Sequence, residues 1–114
     1  MNRGDLFLAS PGGDDPRRQR VYLVVSREQL IASRYSRVIC APVYSQRGGL
    51  PTEVHVGAAE GLKAPSAIRC DELTSVPREL LRRQVGALGP ELMRQVSRAM
   101  AVALDIQPDD LSET

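Results

Sequence analysis

Apolar residues fall into short runs and alternations through most of the chain and take up a helical period only near its end. Leu6-Phe7-Leu8-Ala9 predicts a first strand. The crowd of breakers in Ser10-Pro11-Gly12-Gly13-Asp14-Asp15-Pro16 predicts a loop after it, closed by Arg17, Arg18 and Arg20. Val21-Tyr22-Leu23-Val24-Val25 is a continuous, largely β-branched run, too short for a helix, and predicts a central strand buried on both faces. Ser26 is placed to cap a short helix over 27–32. Strand character resumes at Val38-Ile39-Cys40-Ala41-Pro42-Val43 and ends in the turn Tyr44-Ser45-Gln46-Arg47-Gly48-Gly49. Thr52-Glu53-Val54-His55-Val56 alternates as a half-buried strand does, and Ser66-Ala67-Ile68-Arg69-Cys70-Asp71 predicts another. A helical turn over 78–82 and a last strand over 84–88 complete the β part.

From Pro90 the period changes. Leu92, Met93, Val96, Ala99, Met100, Ala103 and Leu104 recur at helical spacing behind a proline suited to the first helical position, which predicts an amphipathic terminal helix packed on the sheet. The expected fold is α+β: a small, curled, barrel-like antiparallel sheet with short helices and a C-terminal amphipathic helix. The 114 residues suit a single domain, expected over 1–106, with 107–114 as an acidic, flexible tail.

Composition is that of an ordinary globular chain, 42% apolar and 25% charged. The apolar runs are far shorter than the roughly twenty residues that span a bilayer, and the first residues lack the pattern of a signal peptide. A cytoplasmic protein is therefore expected, with no membrane association. Two cysteines thirty residues apart and one histidine make disulfide and metal chemistry unattractive; Cys40 and Cys70 read as small buried hydrophobes, and His55 as an exposed position on its strand. Fourteen of the fifteen cations are arginine, Lys63 being the exception. A GC-rich genome yields that bias, and so does a chain that grips phosphate through planar guanidinium forks.

Nucleophile elbows, phosphate-binding P-loops and paired-histidine metal motifs are missing from the sequence, so any chemistry falls to arginine, carboxylate and hydroxyl groups. Arg69 and Asp71, two apart on an expected strand, would share a face. The guanidinium could then neutralise a developing phosphorane while the carboxylate takes a ribose proton. The same pattern also describes a surface ion pair worth under about 1 kcal/mol. Arg17, Arg18 and Arg20 could carry a phosphate backbone or form a solvated basic loop balanced by Asp14 and Asp15. Tyr44 could stack on a base, reach a phosphate, or simply pack.

Taken in order, these segments resemble the MazF/PemK/Kid family of type II toxin-antitoxin endoribonucleases, the mRNA interferases. Arg3-Gly4-Asp5-Leu6-Phe7-Leu8 resembles the family's opening R-G-[DE]-[IV]-[WY], and Arg20 to Ser26 resembles R-P-[VA]-[LV]-[IV]-V-S. Val38 to Ser45 is similar to V-x-[VA]-[AV]-P-[VL]-T-S, and Ile68 to Val76 to the Kid-type V-R-C-D-Q-x-R-T-[IV]. Val85-Gly86-Ala87-Leu88 and the helix match the family's close. The resemblance covers about residues 3–106. It implies an SH3-like sheet of the CcdB/MazF toxin type that forms a homodimer, with single-stranded RNA in a groove at the subunit junction. The RNA is cut by its own 2′-hydroxyl, without metal or cofactor, to a cyclic phosphate and a 5′-hydroxyl.

By the same resemblance Arg69 and Asp71 act as acid and base and Arg20 assists cleavage, with Arg17, Arg18, Gln46, Arg47 and Glu72 as RNA contacts. The family's threonine near the scissile phosphate is replaced by Tyr44, so Tyr44 or Ser45 is expected to supply the hydroxyl. A MazE/PemI-like antitoxin with a disordered acidic C-terminal tail is the implied protein partner. Two other readings share the fold: a CcdB-type toxin that binds DNA gyrase, and a catalytically inactive relative. The terminal helix here ends Leu104-Asp105-Ile106 before an acidic tail, unlike the aromatic ending of CcdB.

Overall fold

The structure, a computed structural model, describes residues 1–10 and 16–113. Seven strands appear among the described residues: β1 (Asp5–Ala9), β2 (Arg20–Val24), β3 (Arg37–Tyr44), β4 (Glu53–Val56), β5 (Ser66–Arg69), β6 (Thr74–Pro77) and β7 (Leu81–Ala87). Two α-helices accompany them, α1 (Glu28–Ala32) and α2 (Pro90–Ala103). The sheet is antiparallel in the order β4-β5-β3-β2-β1-β7. One edge of the long β3 serves two partners: its first half pairs with β6 and its end with β5.

The expected central strand is β2, held between β1 and β3. Period-two alternation sends Leu23 to one apolar cluster and Val24 to another, both fully buried, so the continuous run reflects two covered faces. The larger cluster joins Leu6, Leu23, Ala41, Val54 and Ile68 to Val96 and Ala99 of α2. The smaller gathers Phe7, Val24, Val38, Cys40 and Val76 with Ile31 of α1. Pro90 begins α2 as its spacing predicts, and the helix lies on β4 and the turn that follows β5.

The curled sheet closes where the connection between β4 and β5 meets β7. Gly61 has φ +101°, and a Cβ there would stand 2.2 Å from the carbonyl oxygen of Val85; one on Gly86 would stand 1.8 Å from that of Glu60. Only glycine permits this backbone crossing.

Several expectations need correction. Ser26 does not cap α1, whose N-cap is Arg27 without a side-chain bond; its hydroxyl accepts the Ile39 N–H at 2.6 Å and ties the strand end to β3. The strand expected through Asp71 stops at Arg69, and Cys70–Glu72 forms a 3-10 turn. β6 was unforeseen, since four residues ending in proline carry little periodicity. The helical turn after Pro77 is confined to Arg78–Leu80, and the last strand starts earlier, at Leu81. The tail contains a 3-10 turn at Pro108–Leu111. Of the expected first loop, residues 11–15 lie outside the described part.

Candidate active site

Register brings the site together. Val21 pairs with Val43, so the next position along puts Arg20 beside Tyr44, while Tyr44 pairs with Ala67 and thereby has Arg69 as its diagonal neighbour on the same face. The guanidinium carbon of Arg20 lies 4.0 Å from the centre of the Tyr44 ring and that of Arg69 lies 4.3 Å from it. Both distances are well inside cation-π range. Arg20 also donates Nη1–H to the Val43 carbonyl at 3.2 Å, which holds its fork at the end of β3.

The break in β5 changes the partnership expected for Arg69. Cys70 is drawn into the main core, its N–H bonds the Thr52 carbonyl at 3.0 Å, and the chain turns so that Asp71 and Glu72 point outward. Glu72, not Asp71, becomes the ion partner of Arg69, at 3.5 Å, and its other carboxylate oxygen accepts the Tyr44 hydroxyl at 2.7 Å. Asp71 instead accepts a 2.6 Å hydrogen bond from the Thr52 hydroxyl. The same-face argument therefore fails for the pair, although a turn of three residues still carries both carboxylates next to Arg69.

Arg20, Tyr44, Arg69 and Glu72 thus form one cluster, with Asp71 on its flank. The Tyr44 hydroxyl is pushed above its ordinary range, chiefly by its bond to the Glu72 carboxylate and by burial, against the opposing pull of the two guanidiniums. At neutral pH it is a phenol that can donate a proton. Arg69 Nε is the one buried side-chain nitrogen or oxygen among the described residues that lacks a partner, an arrangement that costs about 1–3 kcal/mol. Burial raises the Cys40 thiol to about 12, and burial with the Asp71 charge raises Cys70 to about 11, so neither is a nucleophile near neutrality.

The remaining candidates are dispersed. Ser45 is exposed and lines an open cleft with Arg20 and Tyr44. Arg17 and Arg18 occupy an exposed 3-10 turn before β2, and Gln46 is exposed in the loop after β3. Arg47 is anchored, donating to the carbonyls of Val56 at 2.9 Å and Ser66 at 3.2 Å. Thr52 was not singled out from the sequence, where its place at the head of the alternating Thr52–Val56 run was the only signal. Among the described residues no group of three or more His, Cys, Asp or Glu side chains is disposed to hold a metal, and no helix is long and apolar enough to cross a membrane.

Comparison with known proteins places this geometry in context. A family model for the PemK-like, MazF-like toxin of type II toxin-antitoxin systems matches residues 2–104. Endoribonuclease MazF3 of Mycobacterium tuberculosis is 33% identical over 87 residues, which span 76% of this chain and 84% of that protein. The solved structure of the Mycobacterium tuberculosis toxin MazF-mt6 superposes with a TM-score of 0.79 at 29% identity, covering 90% of this chain and 98% of that one. A mycobacterial endoribonuclease solved in complex with its cognate antitoxin shares the fold, with a TM-score of 0.81 at 20% identity over 94% of this chain and 97% of that one.

Proposed function

The chain belongs to the PemK-like, MazF-like toxins of type II toxin-antitoxin systems, and on that premise we propose that it is an endoribonuclease that cuts single-stranded RNA at specific sequences. The observation that carries the reading is the convergence of Arg20 and Arg69 on Tyr44, beside the Asp71–Glu72 turn. Two guanidinium forks, each within 4.3 Å of the centre of one ring, suit a phosphate whose charge grows in the transition state. Metal is not needed for that neutralisation.

In the reaction the ribose 2′-oxygen attacks the adjacent phosphorus, its proton passes to a carboxylate, and the bond to the 5′-oxygen breaks as that oxygen takes a proton from the Arg69 guanidinium. The products are a 2′,3′-cyclic phosphate and a 5′-hydroxyl. Asp71 is assigned the proton-accepting role, oriented by the Thr52 hydroxyl. Arg69 holds the phosphate and faces the leaving oxygen, and Arg20 shares the charge. The Tyr44 phenol, with Ser45 beside it in the cleft, supplies the hydroxyl at the phosphate. Arg17, Arg18, Gln46 and Arg47 flank the path of the strand, and Glu72 keeps Tyr44 and Arg69 in place until RNA arrives.

The family premise extends the proposal to a cytoplasmic homodimer of the domain over 1–106, held inactive by a cognate antitoxin whose disordered acidic tail meets the arginine cluster. The test is incubation of the purified, antitoxin-free protein with a long, structure-poor RNA in EDTA, beside Arg69→Ala and Asp71→Ala. Discrete cuts ending in cyclic phosphate, lost in both variants, are expected. Intact RNA with folded wild-type protein would sink the reading, and cuts that persist in Asp71→Ala would move the proton-accepting role to Glu72.

A further inference from the structure

A cleft of about 420 Å³ shares Arg20 and Tyr44 with the cluster but none of Arg69, Asp71 and Glu72, so it extends from the proposed cleavage point instead of coinciding with it. Its volume lies within the roughly 300–1,000 Å³ usual for small-molecule sites. Leu8, Val21, Leu62 and Val85 belong to its apolar part, with Val43 and Ala64. Leu8 and Val21 stand opposite each other across β1 and β2, and Val21, Leu62 and Val85 are the half-buried fringe of the main core. Added to these are Lys63 and Arg83, and no acidic side chain lines the cleft.

These two cations differ from the chain's tethered arginines. Arg3, Arg37, Arg47 and Arg78 donate to backbone carbonyls, whereas among the described residues neither Lys63 nor Arg83 has a side-chain hydrogen bond or ion pair. Their backbones lie close together, because the Gly61–Gly86 crossing clamps the connection carrying Lys63 against the strand carrying Arg83. An apolar surface with two unpaired cations and no carboxylate on its lining, opening next to a phosphate site, fits a flat base with a negative backbone on either side.

We propose that this cleft binds the nucleotide adjacent to the scissile phosphate. The base lies against Leu8, Val21, Leu62 and Val85, and Lys63 and Arg83 take the backbone phosphate beyond it. The proposal rests on the ribonuclease reading, names two phosphate contacts outside the cleavage cluster, and makes the cleft a determinant of which sequence is cut.

The test uses a short 2′-O-methyl RNA of mixed sequence, which presents bases and phosphates but no attacking hydroxyl. Its binding to wild type, Lys63→Glu and Arg83→Glu is measured by fluorescence anisotropy across a salt series, with sedimentation of each preparation. Each reversal is expected to weaken binding about tenfold or more and to lower the slope of log affinity against log salt by about 0.7, the loss of one single-strand phosphate contact. Leu62→Trp, which fills the apolar part without changing charge, is expected to alter the nucleotide preferred beside the cuts in a long RNA.

Unchanged affinity and salt slope in both reversals would overturn the proposal. So would a changed oligomeric state, which would make the cleft an interface between copies of the chain. Failure of the ribonuclease reading shows separately as wild-type protein that leaves long RNA uncut, while the anisotropy series still reports on the cleft.

Discussion

Two pairs of arginines stand at the sheet and differ in where their hydrogen-bond donors go. Arg37 donates to the Ser75 hydroxyl at 2.9 Å and the Ser75 carbonyl at 2.7 Å, while Arg78 binds the carbonyls of Tyr35, Leu30 and Ser33. Those forks stitch α1 and its exit to β6 and the turn after it. Arg20 and Arg69 instead lay their guanidiniums over the Tyr44 ring, and Arg69 leaves one buried donor unmatched. A smaller cleft of about 360 Å³ lies beside Arg37 and Arg78, so a hollow near arginine does not separate the pairs. What separates them is that one pair is bound by two or more hydrogen bonds each, while Arg20 makes a single one to the Val43 carbonyl and Arg69 keeps a buried donor free for a ligand.

The contrast is broken most directly at Arg69. Arg69→Ala is expected to lower the rate of RNA cleavage by about 10²–10³-fold, the usual cost of removing a donor aimed at developing charge, with little change in melting temperature. Activity within a few-fold of wild type would erase the difference between Arg69 and the tethered arginines. Arg78→Ala is the opposite case: a loss of about 1–2 kcal/mol in urea unfolding, as carbonyl tethers go, with cleavage per folded molecule unchanged. A large activity loss at intact stability would place Arg78 in function.

Tyr44→Phe sharpens the comparison, keeping the ring under both guanidiniums while deleting the hydroxyl that engages Glu72. About a tenfold fall in kcat is expected, near 1.4 kcal/mol; no change would show that Tyr44 serves only as a platform. The smallest effect concerns the thiols, Cys40 beneath the Arg37 end and Cys70 beneath the site turn. Their folded values of about 12 and about 11 exceed the ordinary 9.0, so the native state binds more protons above pH 9. Their contribution to stability is complete below pH 9 and declines as pH rises through about 11 and about 12. Urea midpoints should therefore fall above pH 9, less steeply in Cys40→Ala; an identical slope would remove Cys40 from the account.

Much of the fold was legible. The run at Val21 announced a strand covered on both faces because both apolar clusters draw on it, and the spacing from Pro90 announced α2 because one stripe, with Val96 and Ala99 at its centre, meets the core. β6 was illegible because Thr74–Pro77 owes its strand geometry to pairing with β3, a long-range partner with no trace in four residues. Ser26 misled because a serine before a helix can equally serve a neighbouring strand.

The candidate site divides along the same line. By itself the sequence determined most strands and the terminal helix, the family and the residue types available for phosphate chemistry, because periodicity and motif order are local properties of the chain. Which residues meet was decided only by the tertiary structure. Burial of Cys70 ended β5 at Arg69, replaced the expected Arg69–Asp71 pair with Arg69–Glu72, and handed Asp71 to Thr52. Strand register set Arg20 and Arg69 over Tyr44, and the glycine crossing brought Lys63 to the cleft of Arg83. Such meetings depend on distance in space between residues far apart in the chain, which no local pattern encodes.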